Sequence, residues 1–161
     1  SNLKAFLVDP ANANRILDNG GSPVSGLVVN GEVCQEAASE VFEINLDGGY
    51  NNTPINSLSG LEQFANLARL NVGFAQITGA VDLSPLTNLE EFEGTSNEIS
   101  SLTASSANTQ LTRIEVSFQG NNADVLTNVT FNGNSIPLLQ SLSVQDNSNL
   151  TAIDLTRTPS L

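Results

Sequence analysis

Across residues 41–161 apolar residues recur in one frame, each followed by a second three positions on and a third two further. The frames are Val41/Ile44/Leu46, Leu67/Leu70/Val72, Leu89/Phe92/Gly94, Leu111/Ile114/Val116 and Leu139/Leu142/Val144, and Leu161 stands where a sixth would open. Their first positions lie 26, 22, 22, 28 and 22 residues apart, so one unit recurs with two expansions. A period in this range predicts a solenoid, in which each coil buries its apolar face only against its neighbours. A second apolar set follows in the later coils: Ile77/Val81/Leu83, Ile99/Leu102/Ala104, Leu126/Val129/Phe131 and Leu150/Ile153/Leu155. Each coil is therefore expected to contribute two inward-facing rows.

The L-x-x-L-x-L spacing resembles a leucine-rich repeat, a likeness that covers about residues 41–161. Asn97 and Asn147 fall on the ninth position of their coils, where the family pattern has Asn or Cys, while Gly49, Ala75 and Gln119 stand there in the others. The stretches Ile55–Leu67 and Ile77–Leu89 are similar to the 22-residue repeats of internalin-like bacterial surface proteins. Leu3–Pro10, Asn30–Val33 and Glu36-Ala37 resemble the helical cap that precedes the repeats in secreted bacterial members. The resemblance implies an α/β solenoid with short parallel strands on a concave face, second short strands or irregular turns on the convex side, and a small helical N-terminal cap. It also implies export, to an extracellular or bacterial cell-surface location. Many such relatives carry a calcium-loop-like segment in the cap, and this chain departs from it. Aligning the loop glycine with Gly31 puts Gly26, Val28 and Asn30 at the ligand positions, two of them without side-chain oxygen, and brings the closing Glu36 one residue early. No cofactor and no metal are expected.

Residues 1–40 read as cap and loop, and 41–161 as the solenoid. Leu3, Phe6 and Leu7 have helical spacing, and Asp9-Pro10 stops that segment. Pro10 suits the first position of a helix over Ala11–Leu17, closed by Asn19-Gly20-Gly21. With Asn30 as N-cap, a last helix would line up Val33, Cys34, Ala37, Ala38 and Val41 to lid the first coil, burying Cys34 as a small apolar group. At the other end, Leu161 implies that the stack continues or that its open coil packs on another subunit.

Composition narrows the function. The chain holds 5 basic and 17 acidic residues, for a net charge of −12, which repels phosphate backbones and anionic bilayers. Neither nucleic acid nor membrane insertion is expected. It has no His, no Trp and one Tyr, which removes most acid/base, metal-ligand and sugar-stacking chemistry. One cysteine cannot form an internal disulfide. Sequons at Asn51, Asn128 and Asn149 matter only in a glycosylating host.

Binding chemistry is expected on the sheet face, in columns of equivalent positions. The third column reads Glu43, Arg69, Glu91, Arg113, Ser141, an alternation that suits a cross-strand ion-pair ladder. It either locks the register or matches a partner of complementary charge. The fifth column, Asn45, Asn71, Glu93, Glu115, Ser143, sets two carboxylates side by side, which repel unless Arg69 and Arg113 lean across. As a glycosidase pair, Glu93 and Glu115 have a reasonable separation but a solvent-wet setting that fails to raise one pKa, so no enzymatic activity is expected. A weak cation site among Glu91, Glu93 and Glu115 is the other reading. Phe42 at a second position and Phe74 and Phe118 at eighth positions are either tucked under the ascending loops or exposed as anchors. The six-residue excess near 119–124 borders Phe118.

These observations converge on a non-catalytic recognition module that binds a protein partner through Phe74, Phe118, Arg69, Arg113, Glu91, Glu93 and Glu115. Two alternatives stand beside it: a glycan-binding accessory subunit of a bacterial surface uptake complex, and an architectural spacer.

Overall fold

The structure, a computed structural model, describes residues 2–48, 54–120 and 125–161. It is a β-solenoid. Among the described residues helix is confined to four short segments, α1 (Asn2–Val8), a 3-10 turn (Pro10–Arg15), α2 (Gln35–Ala38) and a second 3-10 turn (Leu61–Gln63). The chain is thus mostly β, with less helix than an α/β solenoid would have. Thr, Ser, Asn and β-branched residues fill the return stretches, and they suit short strands and turns better than helix.

Cap residues come first: β1 (Ile16–Leu17), then a hairpin of β2 (Val28–Val29) and β3 (Glu32–Val33). The solenoid supplies β4 (Glu43–Asn45), β5 (Arg69–Asn71), β6 (Thr78–Asp82), β7 (Glu91–Glu93), β8 (Glu98–Ser105), β9 (Arg113–Glu115), β10 (Asn128–Asn132) and β11 (Ser141–Ser143). A six-stranded sheet runs β1-β4-β5-β7-β9-β11, and a three-stranded sheet runs β10-β8-β6 on the return stretches. The core residues Ile44, Leu70, Phe92, Ile114 and Leu142 are in register along the long sheet, so every frame read from the sequence lands on one rung. Val81, Leu102 and Val129 align likewise on the short sheet. Both rows point inward and are buried, except that Leu142, Val144, Leu150 and Ile153 are only half-buried and Leu155 is exposed in the last coil.

Gly94 is the one frame residue without a side chain, and its neighbour explains it. A Cβ there would meet Phe92 Cε1 at 2.7 Å and Cζ at 2.8 Å, because the Phe92 ring has taken the space that a valine or leucine fills in other coils. Phe92 is fully buried, so the volume of the rung is conserved by redistribution.

Buried amides tie coil to coil. Asn97 Nδ2 donates to the carbonyls of Val72 (2.8 Å), Gly94 (2.9 Å) and Thr95 (3.1 Å), and its Oδ1 accepts from the Ile77 amide (2.9 Å). Gln119 does the same one coil later, accepting from the Ile99 amide and donating to Gly94 and Ser117 carbonyls. Asn147 accepts from the Gln119 amide and donates to the Val116 carbonyl at 3.0 Å. Glutamine therefore serves at the position that asparagine takes in the coils of Asn97 and Asn147. Ala75 needs no such side chain, since its carbonyl takes the Ile55 amide directly at 3.0 Å. Gly49 lies outside the described residues.

The cap differs from its expected helices. Residues 16 and 17 are a strand, paired antiparallel with β4 (Ile16 with Ile44, Leu17 with Glu43), so the cap seals the sheet edge by continuing it. Asn30-Gly31 is not a helix start but the turn of the β2-β3 hairpin, with φ of 53° and 78°. Asn-Gly in a two-residue loop is the favoured composition for that turn, because both positions require left-handed backbone. Helix α2 begins only at Gln35, and Cys34 is its half-buried N-cap, not a buried face residue. Lys4 reaches Glu32 at 2.6 Å across this junction. Arg15 lies over the Phe6 ring at 4.9 Å and donates to the Asp47 carbonyl, fastening the cap to the first coil. Burial pushes the Arg15 pKa down, with Asp47 opposing.

Candidate functional site

Parallel pairing brings the predicted columns together. Glu43, Arg69, Glu91, Arg113 and Ser141 are direct neighbours across the long sheet, as are Asn45, Asn71, Glu93, Glu115 and Ser143. The two arginines divide the carboxylates unequally. Arg69 Nε bonds Glu43 at 2.9 Å and its guanidinium lies over the Phe42 ring at 4.9 Å. Arg113 instead leans into the fifth column, 3.5 Å from Glu93 and 3.7 Å from Glu115, and relieves the repulsion between them. Glu91 stands between both arginines in register yet makes no ion pair among the described residues. The ladder is therefore broken in the middle, leaving one solvated carboxylate on the face.

Hydroxyls finish the fifth column. Thr95 donates to Glu93, and Ser117 donates to Glu115, each from the seventh position of the same coil. Ser117 is also bonded to Ser143 (2.9 Å) and accepts from the Gln145 amide (3.0 Å). Glu93 and Glu115 are thus pinned in place. A shallow depression of about 200 Å³ lies on this face, lined by Glu43, Asn45, Arg69, Glu91, Glu93 and Arg113. Among the described residues no group of three or more His, Cys, Asp or Glu is arranged to hold a metal ion, Glu91, Glu93 and Glu115 included.

Phe74 and Phe118 are exposed, at 59% and 49%, which decides between the two readings of those rings. Their backbone is the more informative part. Every described eighth position has left-handed φ: Gly48 (74°), Phe74 (53°), Ser96 (57°), Phe118 (57°) and Asp146 (53°). The bend is fixed by the coil, since the amides of Phe74, Ser96 and Phe118 each bond a carbonyl of the next coil at 3.0, 3.1 and 2.9 Å. Left-handed backbone costs an ordinary L-residue roughly 1–2 kcal/mol and a glycine nothing. Two phenylalanines are held there with their rings in water, two strands apart, which is roughly 10 Å at ordinary strand spacing. Residues 121–124 of the adjoining excess lie outside the described residues.

A buried residue that the frame reading missed is Asn108, which donates to the Leu83 and Leu86 carbonyls (2.8 and 3.0 Å) and accepts from the Ser105 amide. It stands three before a frame start, where Phe64, Leu86 and Ile136 are apolar, and that polar exception was the available signal.

Among the described residues no helix is long and apolar enough to cross a membrane. Comparison with protein-family models, curated proteins and solved structures finds no match.

Proposed function

We propose that the chain is a non-catalytic recognition module, akin to the leucine-rich-repeat proteins of bacterial surfaces, that captures a protein partner on the outer face of its long sheet. The observation that carries this reading is the pair Phe74 and Phe118. Exposed aromatic side chains on strained backbone contribute nothing to the fold that glycine or asparagine would not contribute better, and such outliers point to function. Aromatic anchors beside charged residues are the usual composition of an interface hot spot. In this reading the rings are the anchors, Arg113 with Glu93 and Glu115 forms a fixed polar rim, and the free Glu91 receives a basic group of the partner. Arg69, tied to Glu43 and Phe42, acts as a strut. An extracellular or cell-surface location fits the acidic, amide-rich surface.

The same geometry supplies a clean test. Phe74→Asn and Phe118→Asn put a residue that tolerates left-handed backbone at each position. The double variant is expected to melt at the same temperature as the parent or a few degrees above it, while partner capture, scored by mass spectrometry of what co-purifies, is lost. Full capture by the double variant would sink the proposal.

A further inference from the structure

A second concavity lies elsewhere, along the edge where each coil enters the long sheet. It has a volume of about 590 Å³, in the range of ligand sites, and crosses four successive coils. Its repeating element is a row of amides one residue before each frame: Asn66, Asn88 and Gln110, preceded in the first coil by Glu40. Asn66 Nδ2 donates to the Ser39 carbonyl and Asn88 Nδ2 to the Ala65 carbonyl, both at 2.7 Å. Asn66 and Asn88 are thereby pinned to the coil before them, while the Gln110 amide bonds its neighbour Thr109. The second N–H and the carbonyl oxygen of each have no partner among the described residues. Those of Asn66 and Asn88 form preset donor–acceptor pairs at the strand spacing of about 4.8 Å, and Gln110 extends the row by one more coil. Phe42 adds an apolar wall, and Glu90 and Asp18 add acceptors.

We propose that this groove binds a neutral, extended hexopyranose chain. Three features select that class. Paired amide donors and acceptors match vicinal hydroxyls, with carboxylates as further acceptors. No Lys or Arg lines the groove while Asp18, Glu40 and Glu90 do, which disfavours sulfated or uronic glycans. The rungs repeat at the strand spacing of about 4.8 Å, and a flat, β-linked sugar chain advances close to one ring per rung. An extended peptide repeats its hydrogen-bonding pattern every two residues, about 6.6–6.8 Å, and falls out of step with the rungs. The site is separate from the Phe74 and Phe118 face and stands or falls without it.

Titration calorimetry of the whole chain with cellotetraose and chitotetraose, their dimers, and a tetragalacturonate tests the proposal. Binding of one neutral tetramer is expected, tighter than its dimer, unchanged by added salt, and absent for the uronate. Asn88→Ala and Gln110→Ala are each expected to weaken it by roughly tenfold, about one hydrogen bond's worth. Gln110 bonds only its neighbour Thr109, so its replacement leaves the fold intact. The Phe74→Asn/Phe118→Asn variant should bind the sugar as the parent does. No binding of either neutral tetramer, affinity indifferent to both amide variants, or a salt-sensitive complex with an oligolysine peptide in the same groove would each overturn the assignment.

Discussion

Replacing Asn97 with alanine is expected to lower the unfolding free energy by about 2–4 kcal/mol, since a buried polar group left without a partner costs about 1–3 kcal/mol and each further lost hydrogen bond about 0.5–1.5 kcal/mol. The change leaves the Ile77 amide without an acceptor and takes one of two donors from the Val72 and Gly94 carbonyls, which keep the Ala75 amide and the Gln119 side chain. In a chain of this size that corresponds to a melting midpoint lower by roughly 4–15 °C. Asn97→Asp should be no better. It keeps the acceptor for Ile77 but turns a carboxylate toward three carbonyl oxygens. Asn66→Ala is the control, because its single bond to the Ser39 carbonyl is exposed, and a shift of under about 1 kcal/mol is expected. Thermal melts of the three variants decide the matter. An Asn97→Ala midpoint within about 2 °C of the parent would mean that the amide ladder is not what joins the coils.

The second large effect is a rescue. Gly94→Val restores the apolar residue that the frame lacks, yet it drives a branched side chain into the Phe92 ring, where even a Cβ comes within 2.7 Å. Overpacking of this kind should destabilise by about 2–3 kcal/mol. Phe92→Leu alone leaves a cavity worth about 1–2 kcal/mol. Together they rebuild the Leu-x-x-Leu-x-Val rung found at Leu67/Leu70/Val72, and the double variant should return to within about 1 kcal/mol of the parent. Contacting residues can couple by up to about 3 kcal/mol, and this pair should lie near that limit. Denaturant titrations of the four proteins give the coupling energy directly. Simple additivity would show that the glycine answers to something other than the ring.

How far the sequence spoke for the structure depended on the range of the interaction. The rungs were legible because a coil is a local period, and a period survives without knowledge of its neighbours. Ile44, Leu70, Phe92, Ile114 and Leu142 needed only counting. Pairing within columns followed from the same count, but side-chain choice did not. The adjacent Glu93 and Glu115 called for an arginine to lean across, and Arg113 does, but nothing in the order Glu43, Arg69, Glu91, Arg113 says that Arg69 will stay with Glu43. Exposure of Phe74 and Phe118 was undecidable for a related reason. Aromatic residues usually pack, and the left-handed bend that turns these two outward is a property of hydrogen bonds to the next coil. In the cap two local signals compete. Val33, Cys34, Ala37, Ala38 and Val41 have helical spacing behind a possible N-cap at Asn30, but Asn30-Gly31 between Val28-Val29 and Glu32-Val33 spells a hairpin, and the hairpin wins. The amide row Asn66, Asn88, Gln110 stood in plain view one residue before each frame, but a polar residue at the lip of a coil looks like ordinary surface until its neighbours stack beneath it.

The row of left-handed residues has one more implication. Glycine, phenylalanine, serine, phenylalanine and aspartate follow one another there on a nearly constant backbone, with φ between 53° and 74°. Shape and side chain are uncoupled at this position: the scaffold sets the direction of display, and the displayed group can be exchanged like type in a composing stick. A lineage could rewrite what the surface reads, one letter per coil, without recasting the frame that holds it.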